Sequence, residues 1–272
     1  MGELSIVEQF ENQMLDMEQV NCDVSHYFGP NIYIREVHLP AGTLAVGHKQ
    51  KFTHMNVMIK GKVVMPADNG EVKILEAPLI FNSPPGRKFG YVLEDTVWQN
   101  IYSTDETDID KLEAHYLDKS YSWQEYEENR VNLLKALYRE DIKDYENLLE
   151  ELNLTEEDVQ KQVLNKEDYV EISNDLAPKI TIRDSYIQGK GAFLSSSCDE
   201  NEILAVAKLG EKRTLAGRYV NHSKNPNCRY TKFEDGNIYL VSNQKITGCS
   251  GGQKGEELTV NYREARLLVN RG

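Results

Sequence analysis

Short apolar runs separated by turn residues dominate residues 24–104. The runs "NIYIREVHL", "NVMIKGKVVM", "VKILEAPLIF" and "TVWQNIY" are rich in β-branched and aromatic residues, and Gly, Pro and Asn stand between them. Such runs are typical of strands joined by tight turns. The pattern therefore predicts a small antiparallel sandwich or barrel in this part of the chain.

The hydrophobic spacing changes to a helical period in residues 105–176. The apolar positions at helical spacing are Leu133, Leu134, Leu137, Tyr138, Tyr145, Leu148, Leu149 and Leu152. Capping-box patterns begin at Ser122, with Glu125 three residues on, and at Thr155, with Asp158 three residues on. This segment is predicted to form several short amphipathic helices.

Strand-like runs return in residues 177–272. They are "KITIRD", "AFLS", "ILAVAKL", "RYVN", "IYLVSN" and "ELTVNY", and glycine is concentrated between them. The whole pattern predicts an α+β chain of four segments: a helical lead-in over 1–23, a β domain over 24–104, an acidic helical segment over 105–176 and a domain of small β-sheets over 177–272.

Charge is distributed unevenly along the chain. The formal net charge is -13, and the segment 105–176 alone holds 22 acidic and 8 basic residues. A net negative charge disfavours nonspecific binding to nucleic acid or to anionic membranes and permits basic peptide partners. The acidic segment is interpreted either as a solvated connection between domains or as a docking surface for a basic partner.

Cysteine usage and hydropathy indicate a reducing, aqueous compartment. The four cysteines are scattered without a C-x-x-C pair, which fits neither a disulfide framework nor a zinc cluster. No apolar run approaches eighteen residues, and the first residues lack the basic and apolar regions of a secretory signal. We expect a soluble, cytoplasmic protein.

Three polar motifs lie in the last third of the chain: "IQGKGAF" at 187–193, "RYVNHSKNPNC" at 218–228 and "GEELTVNY" at 255–262. Glycines let backbone N–H groups approach a ligand closely, because no Cβ intervenes. Asn221 and His222 offer both donors and acceptors. Taken singly, each motif is explained by a turn or by packing.

In this order the three motifs resemble those of the SET-domain family of protein-lysine methyltransferases, over residues 178–265. The resemblance implies a compact fold of small β-sheets in which the Asn-His-Ser segment threads through a loop. It also implies S-adenosylmethionine as the methyl donor and the lysine of a protein or peptide as the acceptor.

Carried over position by position, the resemblance implies a cofactor-binding set and one catalytic residue. The cofactor-binding set is Gly189, Lys190, Gly191, Ala192, Arg218, Tyr219, Asn221 and His222. Backbone of 189–192 would contact the methionine end, Arg218 and Tyr219 would flank the cofactor, Asn221 would bond its amino group and His222 would present backbone groups to adenine. Tyr262 would be the catalytic tyrosine, and no metal is required.

The sequence departs from the family around the substrate groove. Only 24 residues separate Phe193 from Arg218, none of them tyrosine, and ten residues follow Tyr262 without a Cys-rich segment. We hypothesise that the acidic helices or the N-terminal domain complete the groove. The alternative function is a non-catalytic interaction or structural protein with a trimmed SET-like domain.

A second, weaker resemblance concerns residues 38–104, which are similar to a cupin barrel. His48, Gln50 and His54 stand where the first cupin motif has two histidines and a glutamate, and Phe89 replaces the last histidine. A metal centre needs three or four converging N or O ligands. We therefore predict a barrel without metal that serves as an accessory module, with a possible homo-oligomer formed through it. A metal-dependent cupin oxygenase or isomerase is the remaining alternative.

Overall fold

The chain folds into two compact units, Met1–Arg130 and Val131–Gly272. The structure is a computed structural model, and it describes residues 6–67, 71–172 and 179–269. The predicted start of the C-terminal domain at residue 177 lies outside the described residues. Within the described ranges, no helix combines the length and the apolar character needed to cross a membrane.

The N-terminal unit is built mainly of antiparallel strands, as the short β-branched and aromatic runs predict. Its elements are α1 (Ile6–Leu15), β1 (Val24–Gly29), β2 (Ile32–Leu39), β3 (Leu44–Val46), β4 (Lys49–Gln50), β5 (His54–Pro66), β6 (Val72–Glu76), β7 (Leu79–Ser83), β8 (Phe89–Tyr102), α2 (Ile109–Tyr116) and β9 (Leu117–Asp118). The seven-stranded sheet has the order β1-β2-β8-β5-β6, with β3 on β8 and β7 on β5, while β4 pairs with β9.

Two apolar clusters hold the N-terminal unit together. One consists of Met58, Val63, Leu75, Val92 and Trp98, and the other is centred on Tyr33, Tyr102 and Leu112. The run "VKILEAPLIF" forms two strands, β6 and β7, rather than one, and both lie against β5. Pro78 lies between these two strands and has no N–H to contribute to a continuous ladder.

Helix α3 (Tyr121–Leu137) leads into the C-terminal unit. The further elements of that unit are α4 (Arg139–Leu152), α5 (Glu156–Leu164), β10 (Ile180–Asp184), β11 (Lys190–Leu194), β12 (Ile203–Leu209), β13 (Lys212–Arg213), α6 (Leu215–Tyr219), β14 (Asn221–His222), β15 (Cys228–Lys232), β16 (Ile238–Ser242), β17 (Thr259–Val260) and α7 (Tyr262–Val269). The strands form three small sheets: β10-β11, β13-β12-β16-β15 and the parallel pair β14-β17.

One apolar core connects these small sheets. Its buried residues are Ile180, Ala192, Leu194, Cys198, Leu204, Ala207, Ala216, Val220, Cys228, Leu240, Ile246, Leu258 and Val260. The core includes Val220, directly before Asn221, and Val260, directly after Thr259. It therefore fixes the backbone on which the predicted site residues stand.

Two predicted strands of the C-terminal unit are wrong. The run "RYVN" is divided between the end of α6 and β14, and "ELTVNY" contains only the two-residue strand β17 before α7 begins at Tyr262. Both are short apolar runs, which periodicity does not separate into helix and strand. Tertiary pairing between β14 and β17 decides their conformation instead.

The helical segment follows the predicted spacing, with one misplaced start. Thr155 caps α5, and a reciprocal capping box joins it to Asp158 as predicted. The other box is wrong, because Ser122 lies inside α3 and Ser120 Oγ accepts the hydrogen bond from Trp123 N at 3.2 Å. The boundary between the compact units falls inside α3, and the predicted domain limits remain predictions.

Candidate functional site

The polar loop at 221–227 and the "GEEL" segment come together through backbone pairing. Strand β14 lies parallel to β17, with Asn221 opposite Thr259 and His222 opposite Val260. The side chain of Asn227 also connects the two segments by hydrogen bonds. Its Oδ1 accepts from Thr259 N at 2.9 Å, and its Nδ2 donates to the backbone oxygen of Glu257 at 2.9 Å. Two of the three sequence motifs therefore meet at one place.

Glu257, in the "GEEL" segment, links the Gly-x-Gly motif to this place. Its carboxylate is fully buried and accepts from Tyr186 N at 2.7 Å and from Asn221 Nδ2 at 2.7 Å, and Ser185 Oγ lies 2.7 Å from Oε1. Burial raises the pKa of this carboxyl, while the hydrogen bonds from Asn221 and Ser185 act in the opposite direction. Glu257 is a structural anchor that joins all three motifs.

The Gly-x-Gly turn is shaped around that anchor. Ser185 Oγ accepts from Ile187 N and Gln188 N at 2.7 and 2.8 Å, and Gly189 closes the turn with a φ of 57°. A Cβ on Gly191 would lie 2.4 Å from Glu257 Oε1. Gly191 is therefore required for the approach of Glu257, while a Cβ on Gly189 would meet nothing closer than Gln160 at 3.8 Å.

Asn221 is oriented so that its oxygen remains available. Its Nδ2 lies 3.0 Å from Ser185 Oγ, 3.1 Å from Gln188 O, 3.2 Å from Lys190 O and 2.7 Å from Glu257 Oε1. Among the described residues, the hydrogen bonds of the Asn221 side chain all involve Nδ2 and none reaches Oδ1. An amide fixed through its nitrogen in this way presents a bare acceptor, and a ligand ammonium group fits it.

His222 connects α4 to the start of α7. Its Nδ1 accepts from Tyr262 N at 3.1 Å, because a backbone N–H can only donate, and its Nε2–H consequently donates to Asp144 Oδ2 at 2.9 Å. Hydrogen bonds from His222 and then Arg263 lower the pKa of Asp144. Arg263 Nη1 lies 2.8 Å from Asp144 Oδ2, and its Nη2 lies 2.9 Å from Glu151 Oε1.

Tyr262 stands at the first position of α7 with its hydroxyl turned back towards β14. The hydroxyl donates to the backbone oxygen of Val220 at 2.9 Å, and burial raises the pKa of the phenol. Tyr230 is similar, because its hydroxyl donates to Ala216 O at 2.9 Å and burial raises its pKa as well. The ring of Tyr145 on α4 meets that of Tyr262 edge-on at 6.4 Å.

The remaining predicted cofactor residues are engaged with the protein itself. Arg218 Nη1 donates to Val163 O at 2.8 Å, its Nη2 pairs with Asp168 at 2.7 Å, and its guanidinium lies 4.4 Å from the ring centre of Tyr169. Lys190 Nζ pairs with Asp184 at 2.9 Å. Ala192 is fully buried and Tyr219 is half-buried. Their roles towards a cofactor remain predictions.

The structure adds residues that sequence reasoning missed. Asp144, Glu257, Ser185 and Tyr230 all contact or adjoin the predicted set. Glu257 lies in the "GEELTVNY" motif that the sequence singled out, but nothing in the sequence distinguishes it from its neighbour Glu256. Asp144 was not within reach of the sequence either, because it lies 78 positions from His222 in a helix full of acidic residues.

The residues of the cupin-like motif lie in the N-terminal unit. His48 meets the ring of Trp123 edge-on at 4.9 Å, and burial lowers its pKa to about 3. Gln50 Oε1 accepts from Tyr102 Oη at 2.8 Å, and Phe89 lies 6.3 Å from Phe10. Within the described ranges, no three His, Cys, Asp or Glu residues form a group that could hold a metal ion.

Similarity to known proteins covers both parts of the chain. Solved structures similar to the N-terminal β-sheet region include a cupin from Methanocaldococcus jannaschii with a double-stranded β-helix fold (15% identity, TM-score 0.26, 32% of this chain and 91% of that one). They also include a cupin domain from Bordetella pertussis (14% identity, TM-score 0.27, 32% and 98%).

A curated relative is the "Histone-lysine N-methyltransferase, H3 lysine-36 specific" of Mycosarcoma maydis, which is 33% identical over 110 residues. That alignment covers 40% of this chain and 11% of the relative. The family model described as "SET domain" matches residues 104–263, so the match begins well before residue 178 and takes in the acidic helices. The chain belongs to the SET-domain family.

Proposed function

We propose that the protein transfers the methyl group of S-adenosylmethionine to the ε-amine of a protein lysine. The family and the curated relative named as a histone-lysine N-methyltransferase support this reaction class. The observation that carries the proposal is the arrangement around β14. The amide of Asn221 is fixed through its nitrogen with its oxygen open. Tyr262, three positions after the Thr259 that pairs with Asn221, has its hydroxyl bound to the backbone oxygen of Val220.

The cofactor would be held mainly by backbone and by Asn221. Its ammonium group suits Asn221 Oδ1, and the exposed turn at Gly189 leaves room for its methionine end. When bound, S-adenosylmethionine supplies a sulfonium methyl group that is electrophilic without a metal. Every other contribution comes from the chain, which orients the two reactants and excludes water.

Tyr262 would orient the acceptor amine. Its hydroxyl proton is committed to Val220 O, so the oxygen keeps its lone pairs for the amine or for the polarised methyl group. Because burial raises the pKa of this phenol, it acts as a neutral dipole rather than as a base. The rings of Tyr145, Tyr230 and Tyr262 offer apolar walls for the aliphatic stem of a lysine.

Helix α4 would supply one wall of the substrate groove. It contacts the Asn-His-Ser segment through Asp144 at His222 and through Asp141, whose Oδ1 accepts from Ser223 Oγ and Lys224 N at 2.9 Å each. These contacts support the part of the hypothesis that assigns the groove to the acidic helices.

We further propose a basic protein segment as substrate, since the net charge of -13 favours positively charged partners over nucleic acid or anionic membranes. The N-terminal unit would act as an accessory module and could form a homo-oligomer. A reducing, cytoplasmic location is consistent with four cysteines that form no disulfide with one another.

Titration calorimetry with S-adenosylmethionine tests the proposal first. Binding by the wild type that is lost in Asn221→Ala would support it, and Asn225→Ala is the matched control, because Asn225 lies in the same loop with an exposed side chain. No binding to the wild type would contradict it. Binding without transfer to any lysine, assayed by mass spectrometry on a cell lysate and on basic peptides, would favour the non-catalytic alternative.

A further inference from the structure

A second polar cluster lies in the N-terminal unit, between β5, β7 and β8, and the proposed methyl transfer makes no use of it. Its members are His54, Asn56, Ser83, Lys88, Trp98 and Asn100. Apart from Lys88, all of them are buried. Lys88 enters the cluster from the loop before β8, and its backbone oxygen accepts from Gly47 N at 2.9 Å, which fixes the loop.

Lys88 Nζ faces acceptors that carry no formal charge. It lies 3.2 Å from His54 Nε2 and 3.4 Å from Asn56 Oδ1. The described residues include no carboxylate paired with Lys88. Two buried acids of the same unit pair with other cations, Glu11 with Arg87 at 2.6 Å and Glu113 with Lys119 at 3.0 Å.

The tautomer of His54 makes it a proton acceptor for this amine. His54 Nδ1 lies 3.0 Å from the backbone oxygen of Phe52, which can only accept, so Nδ1 carries the hydrogen and Nε2 carries the lone pair. Burial lowers the pKa of His54, which keeps the ring neutral. Among the described residues, the titratable side chain stacked on this ring is Tyr102, with the ring centres 5.7 Å apart.

Desolvation without a counter-charge favours the neutral form of an amine. It lowers the pKa of Lys88 to about 8. At pH 7 about one tenth of such amines carry a free electron pair, about 200 times the fraction for an ordinary lysine. A desolvated lysine beside a proton acceptor is the arrangement found in amines that attack carbonyl groups.

We propose that Lys88 is a reactive amine that condenses with the carbonyl group of an aldehyde or ketone ligand. The neutral Nζ forms a bond to the carbonyl carbon while the carbonyl π electrons move to oxygen. His54 Nε2 takes the first proton that nitrogen loses and gives it to the oxygen, which forms a carbinolamine. The second proton on nitrogen then passes through His54 Nε2 to the carbinolamine hydroxyl, the C–O bond breaks and water leaves. The C=N bond of a neutral imine forms with no change in oxidation state.

Reductive trapping on the full-length protein tests this inference without involving methyl transfer. The protein is treated with propionaldehyde and sodium cyanoborohydride from pH 6 to pH 10, and propylation is measured at each lysine by peptide mass spectrometry. The exposed Lys73 and Lys111 of the same unit are internal references. We expect Lys88 to react at least tenfold faster than both at pH 7, with a midpoint near pH 8.

Two variants complete the test. In Lys88→Arg the propylated Lys88 peptide should be absent. Circular dichroism of this variant checks that the fold tolerates a change at this position. His54→Gln keeps a hydrogen-bonding side chain but removes the proton acceptor, and the Lys88 rate should fall severalfold. A Lys88 rate no greater than that of the references, or a midpoint above pH 10, would overturn the proposal. An unchanged rate in His54→Gln would overturn the role of His54.

Discussion

At the scale of single residues, Glu257 determines how the three motifs fit together. Every group that approaches its carboxylate donates a hydrogen bond: Ser185 Oγ, Tyr186 N and Asn221 Nδ2. A carboxylate with only acceptor positions suits this environment, although it is buried and its pKa is raised. The side chain on which the cofactor proposal rests, Asn221, is oriented by it.

The change Glu257→Gln should therefore destabilise the fold despite its small size. In either amide orientation an NH2 group would face a donor, so at least one buried donor would lose its acceptor. We expect a loss of about 1–3 kcal/mol in the free energy of unfolding, measured by urea denaturation. Glu256→Gln, next to it on the chain, is the control. Equal stabilities of Glu257→Gln and the wild type would contradict the anchoring role.

Tyr262→Phe separates chemistry from cofactor binding. The change removes only the hydroxyl that donates to Val220 O, while the ring keeps its place against the core. We expect the rate of methyl transfer to fall about 100-fold, as for other single groups that stabilise a transition state, with an unchanged dissociation constant for S-adenosylmethionine.

A matched control is Tyr239→Phe, which removes the hydroxyl that donates to exposed Asp235 at 2.7 Å. Radiolabelled methyl transfer to a basic peptide and titration calorimetry measure the two quantities. Loss of cofactor affinity in Tyr262→Phe would place Tyr262 in the binding site rather than at the reacting atoms.

At the scale of elements, helix α4 contacts the Asn-His-Ser segment, and its sequence pattern does not reveal this contact. Its apolar positions and its helical form follow from the spacing of Leu148, Leu149 and Leu152. Its acidic face, however, resembles the solvated face of many helices. Only the fold shows that Asp144 and Asp141 on that face bind the Asn-His-Ser segment.

We expect Asp144→Asn to weaken cofactor binding severalfold and to lower stability at neutral pH. Hydrogen bonds from His222 and Arg263 lower the pKa of the folded Asp144. A depressed carboxyl pKa contributes stability that is present above the unfolded value of about 4 and is lost as pH falls through the folded value. The stability difference between wild type and variant should therefore shrink below about pH 4.

Urea denaturation between pH 3 and pH 7 measures this difference, and Glu146→Gln on the exposed side of α4 is the control. A difference that persists unchanged into acid would show that the ionised form of Asp144 is not what matters.

The length of each element explains which sequence predictions are confirmed. Long alternating or helical patterns, such as β5, β8 and α4, were recognisable because burial of one face repeats over many residues. The segments that carry the site are short, and β14 and β17 have two residues each. Their conformation depends on partners 38 positions away, as for Asn221 and Thr259, and no local pattern encodes that pairing. The ordered motifs nevertheless identified the family.

At the scale of the whole molecule, the net charge of -13 bears on how a substrate arrives. The segment 105–176 carries this charge, and it lies wholly inside the SET-domain match over residues 104–263. Fields of this size concentrate oppositely charged partners near a surface and speed their encounter, and salt screens the effect within about 10 Å at 0.1 M.

This predicts a salt dependence that distinguishes basic from neutral substrates. For a lysine flanked by arginines, kcat/KM should fall about tenfold between 50 and 500 mM NaCl, mainly through KM, because screening weakens encounter and leaves the reaction step unchanged. A peptide with the same acceptor lysine and balanced charges should change little. Steady-state methylation of the two peptides measures the contrast, and equal salt dependence for both would mean that the acidic segment serves the fold through contacts such as Asp144 with His222 and does not attract the substrate.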